Sequence, residues 1–199
     1  GRHLLDAVVG HSFGGKVALV LSMDRPLHVC CTLDSTPGPR PDFRGSESTM
    51  AILDILRSLP PSFSSRASFG KMLELHGLSP DVVAWLALNL APEGDSFHFR
   101  LDLIVIRKLL ADYFALDAWP ALETPKGLAA SYSVVLGEVS NVWDAADRAR
   151  AMRLPKVPVT ILPKAGHWVH VDAPERTALA IQESLRRVKD DVAPPVGDT

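Results

Sequence analysis

The stretch Val8-Val9-Gly10-His11-Ser12-Phe13-Gly14-Gly15 decides the fold of this chain. The apolar, β-branched run at residues 4–9 predicts a buried strand, and residues 14–23 after it predict a helix. Between the two, the G-x-S-x-G spacing predicts a turn so sharp that Ser12 takes a strained backbone conformation. The turn would lift the Ser12 hydroxyl clear of the strand that precedes it.

The residues around Ser12 suit a nucleophile. We expect Gly10 and Gly14 to leave room for the strand and the helix to approach each other. A helix N-terminus attracts negative charge, so the backbone N–H of Phe13 is a candidate oxyanion-hole donor. The alternative interpretation is a glycine-rich strand–helix turn with an incidental serine.

Composition and charge exclude several other classes of function. The 199 residues carry a net charge of -2 and are 47% hydrophobic, which fits a folded protein with no nucleic-acid partner. No apolar run reaches the roughly 20 residues of a membrane span. Cys30 and Cys31 are adjacent on a predicted strand and cannot form an ordinary disulfide, so we expect a soluble protein of a reducing compartment. No zinc spacing or phosphate loop is present, and we predict neither a metal nor a cofactor.

The rest of the chain predicts an α/β domain with an insertion. A second strand at residues 28–33 ends at Asp34, and residues 1–41 form the first part of the core. Residues 42–128 read as a helical insertion, with helices at 49–59, 65–75, 82–90 and 101–114. Strands at 130–136 and 157–162 and helices at 143–152 and 175–188 complete the core over residues 129–190. The tail is residues 191–199. We expect the insertion to be a cap over Ser12, and the alternative is a packing subdomain.

His167 is the candidate general base. It follows the last predicted strand, in the sequence Ala165-Gly166-His167-Trp168, and imidazole takes and returns a proton near neutral pH. Serine triads with the chain order serine, acid, histidine carry the histidine at this place. His170 is the nearby competitor.

The acid of the triad is less obvious. Its usual place, the third residue past the strand-end glycine Gly137, holds Ser140, which cannot carry the charge that stabilises an imidazolium. We favour Asp34, because its strand lies beside the strand of the nucleophile and ends at the same edge. An aspartate at a strand end is also a routine turn former, and Glu138 and Asp144 remain as alternatives.

With these residues in view, the chain resembles the α/β-hydrolase superfamily, and within it the branch of YbfF-type esterases and the animal abhydrolase domain-containing protein eleven. The motifs that carry the resemblance lie at residues 10–16, 33–37, 136–140 and 165–170. The resemblance implies the C-terminal part of an α/β-hydrolase parallel sheet with a helical cap insertion. It implies an acid that matches Asp34 and a serine that matches Ser140, joining acid and histidine.

The same resemblance implies further strands and a second oxyanion donor before the elbow. We expect a separate chain or a longer gene product to supply them. The predicted function is a serine hydrolase that cleaves carboxylic esters or thioesters through an acyl-enzyme on Ser12, with a short or medium acyl group. Two alternatives remain: a catalytically silent hydrolase-like subunit that acts as a scaffold, and a related acyltransferase or hydroxynitrile-lyase-like enzyme.

Overall fold

The computed structural model describes residues 7–40, 47–123 and 127–191. Its elements are, in chain order, β1 (Ala7–His11), α1 (Phe13–Asp24), β2 (Leu27–Leu33), α2 (Glu47–Ser58), β3 (Ser62–Phe63), α3 (Arg66–Leu75), α4 (Pro80–Ala87), β4 (Leu90–Glu93), β5 (Ser96–Phe99), α5 (Leu103–Ala115), α6 (Pro120–Glu123), β6 (Ala129–Gly137), α7 (Ala145–Ala151), β7 (Val159–Leu162), α8 (Val169–Asp172) and α9 (Pro174–Asp191). One compact unit holds Gly1–Gly45 and Tyr113–Thr199, and the other holds Ser46–Asp112.

A parallel sheet in the order β1-β2-β6-β7 organises the first unit. Its ladder continues past the strand ends: the N–H of Ser12 donates to Leu33 O at 3.0 Å, and the N–H of Asp34 donates to Val135 O at 2.7 Å. Because parallel strands all end at one edge of a sheet, the residues that follow β1, β2, β6 and β7 come together there. The predicted α/β fold with a parallel sheet is therefore confirmed.

Helices cover both faces of this sheet, which explains why its strands read as continuous apolar runs. On one face, Cys31, Leu33, Val135 and Leu162 pack with residues of α8 and α9. On the other face, Cys30 packs with Ala18 and Leu19 of α1. The two cysteines point to opposite faces, are buried and are free, as the sequence predicted.

The second unit combines helices with a small sheet that the sequence did not predict. Its helices α2, α3, α4 and α5 lie where four insertion helices were expected. A three-stranded antiparallel sheet in the order β3-β5-β4 joins them. These strands have only two to four residues, too short for an alternating pattern to identify. The unit has its own core around Phe63, Phe69 and Leu73.

Several predicted ends differ from the structure. The helix predicted over residues 82–90 ends at Ala87, and Leu90 begins β4. The strand predicted from residue 157 begins at Val159, after Pro158, which has no N–H to donate. The strand predicted from residue 4 is described from Ala7 onward, and residues 4–6 and the tail from residue 192 lie outside the described residues. The boundaries predicted at residues 41/42 and 128/129 stay predictions.

Candidate active site

The turn between β1 and α1 has the strained geometry that the sequence predicted. Ser12 has φ 53° and ψ -120°, a region that non-glycine residues rarely adopt. A Cβ at Gly10 would collide with the Gly14 carbonyl, as expected for close approach of strand and helix. The expectation for Gly14 is wrong, because a Cβ there would meet nothing within 4 Å. Gly15 is the tight position instead, where a Cβ would collide with the side chain of Ser35.

A chain of hydrogen bonds connects the carboxylate, the imidazole and the hydroxyl. His167 Nδ1 lies 2.7 Å from Asp34 Oδ2, and His167 Nε2 lies 3.0 Å from Ser12 Oγ. A carboxylate can only accept, so with a neutral ring Nδ1–H donates to Asp34 and Nε2 accepts from the Ser12 hydroxyl. This tautomer leaves Nε2 ready to remove the hydroxyl proton.

Asp34 is fully buried, and its carboxylate accepts from several donors. The N–H of Gly137 donates to Oδ1 at 3.0 Å, and the Ser140 hydroxyl donates to Oδ2 at 2.5 Å beside the His167 bond. Ser140 in turn accepts from the N–H of Val142 at 3.2 Å. These donors fix the direction in which Asp34 presents its charge to the imidazole, which is how a buried charge is kept stable.

The other acid candidates make different contacts. The Glu138 carboxylate accepts from the N–H of Lys164 at 2.8 Å and is exposed. Asp144 is the N-cap of α7 and accepts from the N–H of Asp147 at 2.7 Å. His170, the competitor for the base, lies in α8 with its ring edge-on to His11 at 4.9 Å. The imidazole that is hydrogen-bonded to the Ser12 hydroxyl belongs to His167.

Phe13 is the first residue of α1, so its N–H has no acceptor within the helix. Its ring packs against Tyr113 at 5.3 Å between centroids. The N–H therefore belongs to the helix end nearest Ser12, where developing negative charge is favoured. Phe13 therefore stays the candidate oxyanion-hole donor.

Lys16, four positions after Ser12, is a buried lysine that the sequence analysis missed. Its side chain is 1% exposed, and the ammonium donates to Gly38 O at 2.8 Å and to Tyr113 O at 2.7 Å. Burial and the nearby Arg40 charge lower the pKa of Lys16 to about 8. The lysine binds the loop after Asp34 to the end of α5. A charged residue four places after the nucleophile, in an otherwise small and apolar helix start, was the available signal.

Arg148 was also missed. Its guanidinium donates to Gly137 O at 2.9 Å and to Ser140 O at 2.8 Å. It therefore holds the main chain of the loop that presents Ser140 to Asp34. In the sequence it is one of several charged residues in α7, and nothing local distinguishes it.

Neither a cluster of metal-ligating side chains nor a membrane-spanning helix is present among the described residues. In residues 7–40, 47–123 and 127–191, no three His, Cys, Asp or Glu side chains form a cluster able to hold a metal ion. No helix in this part of the chain is both long and apolar enough to cross a bilayer.

Comparisons with known proteins agree with this architecture. The model of the "Alpha/beta hydrolase family" matches residues 1–180. The chain therefore belongs to the α/β hydrolase family. The sn-1-specific diacylglycerol lipase ABHD11 of Mus musculus is 27% identical over 174 residues, which are 84% of this chain and 55% of that protein. The corresponding protein of Danio rerio is 24% identical over 174 residues, with 84% and 53% covered.

Solved structures share the fold. A structure titled "Marine microorganism esterase" superposes with a TM-score of 0.71 at 20% identity, and the match covers 89% of this chain and 69% of that one. An E-2-(acetamidomethylene)succinate hydrolase superposes with a TM-score of 0.65 at 22% identity, with 90% and 66% covered. The chain spans about half the length of the curated relatives that it matches.

Proposed function

We propose that this chain carries the nucleophile, base and acid of a serine hydrolase for carboxylic esters or thioesters. The observation that carries the proposal is the continuous hydrogen-bonded path from Asp34 through His167 to Ser12, with distances of 2.7 Å and 3.0 Å. The strained elbow, the helix N-terminus beside it and the membership of the α/β hydrolase family support the same interpretation.

In the proposed mechanism, Ser12 Oγ attacks the acyl carbon while His167 Nε2 takes its proton. Asp34 stabilises the imidazolium that forms, and the Phe13 N–H donates to the oxyanion. His167 then returns the proton to the leaving alcohol or thiol, which departs and leaves an acyl ester on Ser12. A water molecule repeats the sequence, releases the carboxylic acid and restores the Ser12 hydroxyl.

The proposed substrate has an apolar acyl or alcohol part. Apolar side chains are exposed on the segments that carry Ser140 and His167: Val139 is 66%, Trp168 is 53% and Val171 is 65% exposed. An apolar ester would cover such surface, and a diacylglycerol, the substrate in the names of the relatives, has this chemistry. We also propose that residues 42–128 act as a cap, because a cap would enclose the apolar acyl chain of such a substrate.

The first test uses a fluorophosphonate probe on the complete gene product. We expect covalent labelling at Ser12, loss of labelling in Ser12→Ala, and unchanged labelling in the control Ser58→Ala, whose hydroxyl bonds Ile55 O in α2. Labelling at another serine, or hydrolysis that survives in Ser12→Ala, would contradict the proposal.

The second test measures hydrolysis of nitrophenyl esters of increasing acyl length and of a diacylglycerol, in water and with an acceptor alcohol. We expect free acid as the main product. A transferred acyl group would indicate the acyltransferase alternative. A folded protein that neither reacts with the probe nor hydrolyses any ester would favour the silent scaffold.

A further inference from the structure

His11, the residue before the nucleophile, connects the two loops of the proposed active site. Its ring Nε2 lies 2.9 Å from the backbone carbonyl oxygen of His167. A carbonyl only accepts, so His11 Nε2–H is the donor. The bond joins the end of β1 to the segment between β7 and α8, 156 positions further along the chain.

The sheet does not provide this connection. In the order β1-β2-β6-β7, two strands separate β1 from β7, so no ladder hydrogen bond can join the strand of Ser12 to the strand of His167. The segment that carries His167 includes Gly166, and glycine leaves a main chain conformationally free. Apart from the bond to His11, the described hydrogen bonds of its main chain stay on the β6, β7 and α8 side. They include the bonds from Gly166 N–H to Asp172, from Lys164 N–H to Glu138, from Val139 N–H to Ala165 O, and from the N–H groups of Val171 and Asp172 to Trp168 O.

We propose that His11 is a positioning residue, which fixes the His167 main chain so that the His167 ring keeps its hydrogen bond to Ser12. The inference rests on the proposed function of Ser12 and His167. Ring packing supplies the second part of the argument. The His11 ring lies 4.8 Å from the His167 ring, 5.3 Å from the Trp168 ring and 4.9 Å from the His170 ring, all between centroids. The histidine is thus held on several sides and points its donor at one carbonyl.

The charge state of His11 agrees with this role. Burial lowers the pKa of His11, with smaller contributions in the same direction from the His167 and His170 charges. The hydrogen bond to the His167 carbonyl and the Asp34 charge act in the opposite direction. A lowered pKa keeps the ring neutral at physiological pH, so no positive charge stands beside His167 while it accepts the Ser12 proton.

Three substitutions of His11 distinguish the effect of its Nε2–H donor from the effect of its ring packing. In His11→Gln the amide nitrogen takes the place of Nε2, whereas in His11→Asn it reaches only the place of Nδ1, and His11→Phe keeps the ring without a donor. We expect kcat to fall about 3- to 10-fold in His11→Asn and His11→Phe, with KM nearly unchanged, as one lost hydrogen bond implies. We expect His11→Gln to stay within about twofold of the wild type. His76→Phe, at an exposed histidine, is the control.

Activity in His11→Phe equal to the wild type, or equal losses in His11→Gln and His11→Asn, would overturn the proposal. A measurement that does not depend on hydrolytic activity tests this inference separately from the proposed function. We expect ¹⁵N NMR of the imidazoles at neutral pH to assign the Nε2–H tautomer to His11, even if the protein hydrolyses no ester. The Nδ1–H tautomer has no proton to donate at Nε2, and finding it would refute the inference.

Discussion

Replacing Asp34 with asparagine tests the proposed active site most directly. Asparagine keeps the size of the side chain and removes its charge. Its oxygen can accept from His167 and Ser140 only if the amide nitrogen faces the Gly137 N–H, which is also a donor. In the opposite orientation the nitrogen donates to His167 Nδ1, the proton moves to Nε2, and the ring can no longer accept from Ser12.

The size of the effect follows from the distance between the two charges. An imidazolium and a carboxylate whose atoms are 2.7 Å apart attract each other by about 6 kcal/mol at an effective dielectric constant of about 20. The asparagine dipole and water replace part of this attraction. We therefore expect kcat to fall about 1,000- to 10,000-fold, the range typical of a triad that loses its acid.

The assay compares kcat for a nitrophenyl ester in Asp34→Asn, the wild type and Asp172→Asn. Asp172 accepts from the N–H of Gly166 at 2.8 Å, so its substitution changes a carboxylate on the same segment that does not contact the His167 ring. We expect this control to stay within about threefold of the wild type. A folded Asp34→Asn variant that keeps more than about a tenth of the wild-type kcat would refute the assignment of Asp34 as the acid and would favour Glu138 or Asp144.

Three further predictions concern the surroundings of the site. Gly15→Ala should lower the free energy of unfolding by about 1–3 kcal/mol in urea titrations, because its Cβ would collide with Ser35, while Gly14→Ala has open space and should not. The Lys16 pKa of about 8 lies below its ordinary 10.5, so the unfolded chain binds more protons between these values. Between about pH 8 and pH 10.5, the free energy of unfolding of the wild type should therefore rise relative to that of Lys16→Met, by up to about 1.4 kcal/mol per pH unit. Ser140→Ala should lower kcat about tenfold at most, since Asp34 keeps two donors; a loss as large as in Asp34→Asn would contradict this ordering.

Local sequence was sufficient for the elements that local sterics control. The strand before Ser12 and the helix after it were predicted because a continuous apolar run, β-branching and small residues act over a few positions. The acid was harder to predict, because Asp34 and Glu138 both follow a strand end, Asp144 begins the next helix, and no local pattern distinguishes the three. The small sheet of the second unit was missed, since Ser62–Phe63 and its partners are too short to carry a period.

The sequence by itself therefore determined the strand, the sharp turn at Ser12 and the positions of the histidine and carboxylate candidates at strand ends. Only the tertiary structure decided which groups meet there. Asp34 is 133 positions from His167 and 106 from Ser140, and Lys16 reaches a carbonyl 97 positions away. Such bonds depend on the register and order of four strands and on how tightly helices pack on them, and no local pattern in the chain encodes those distances.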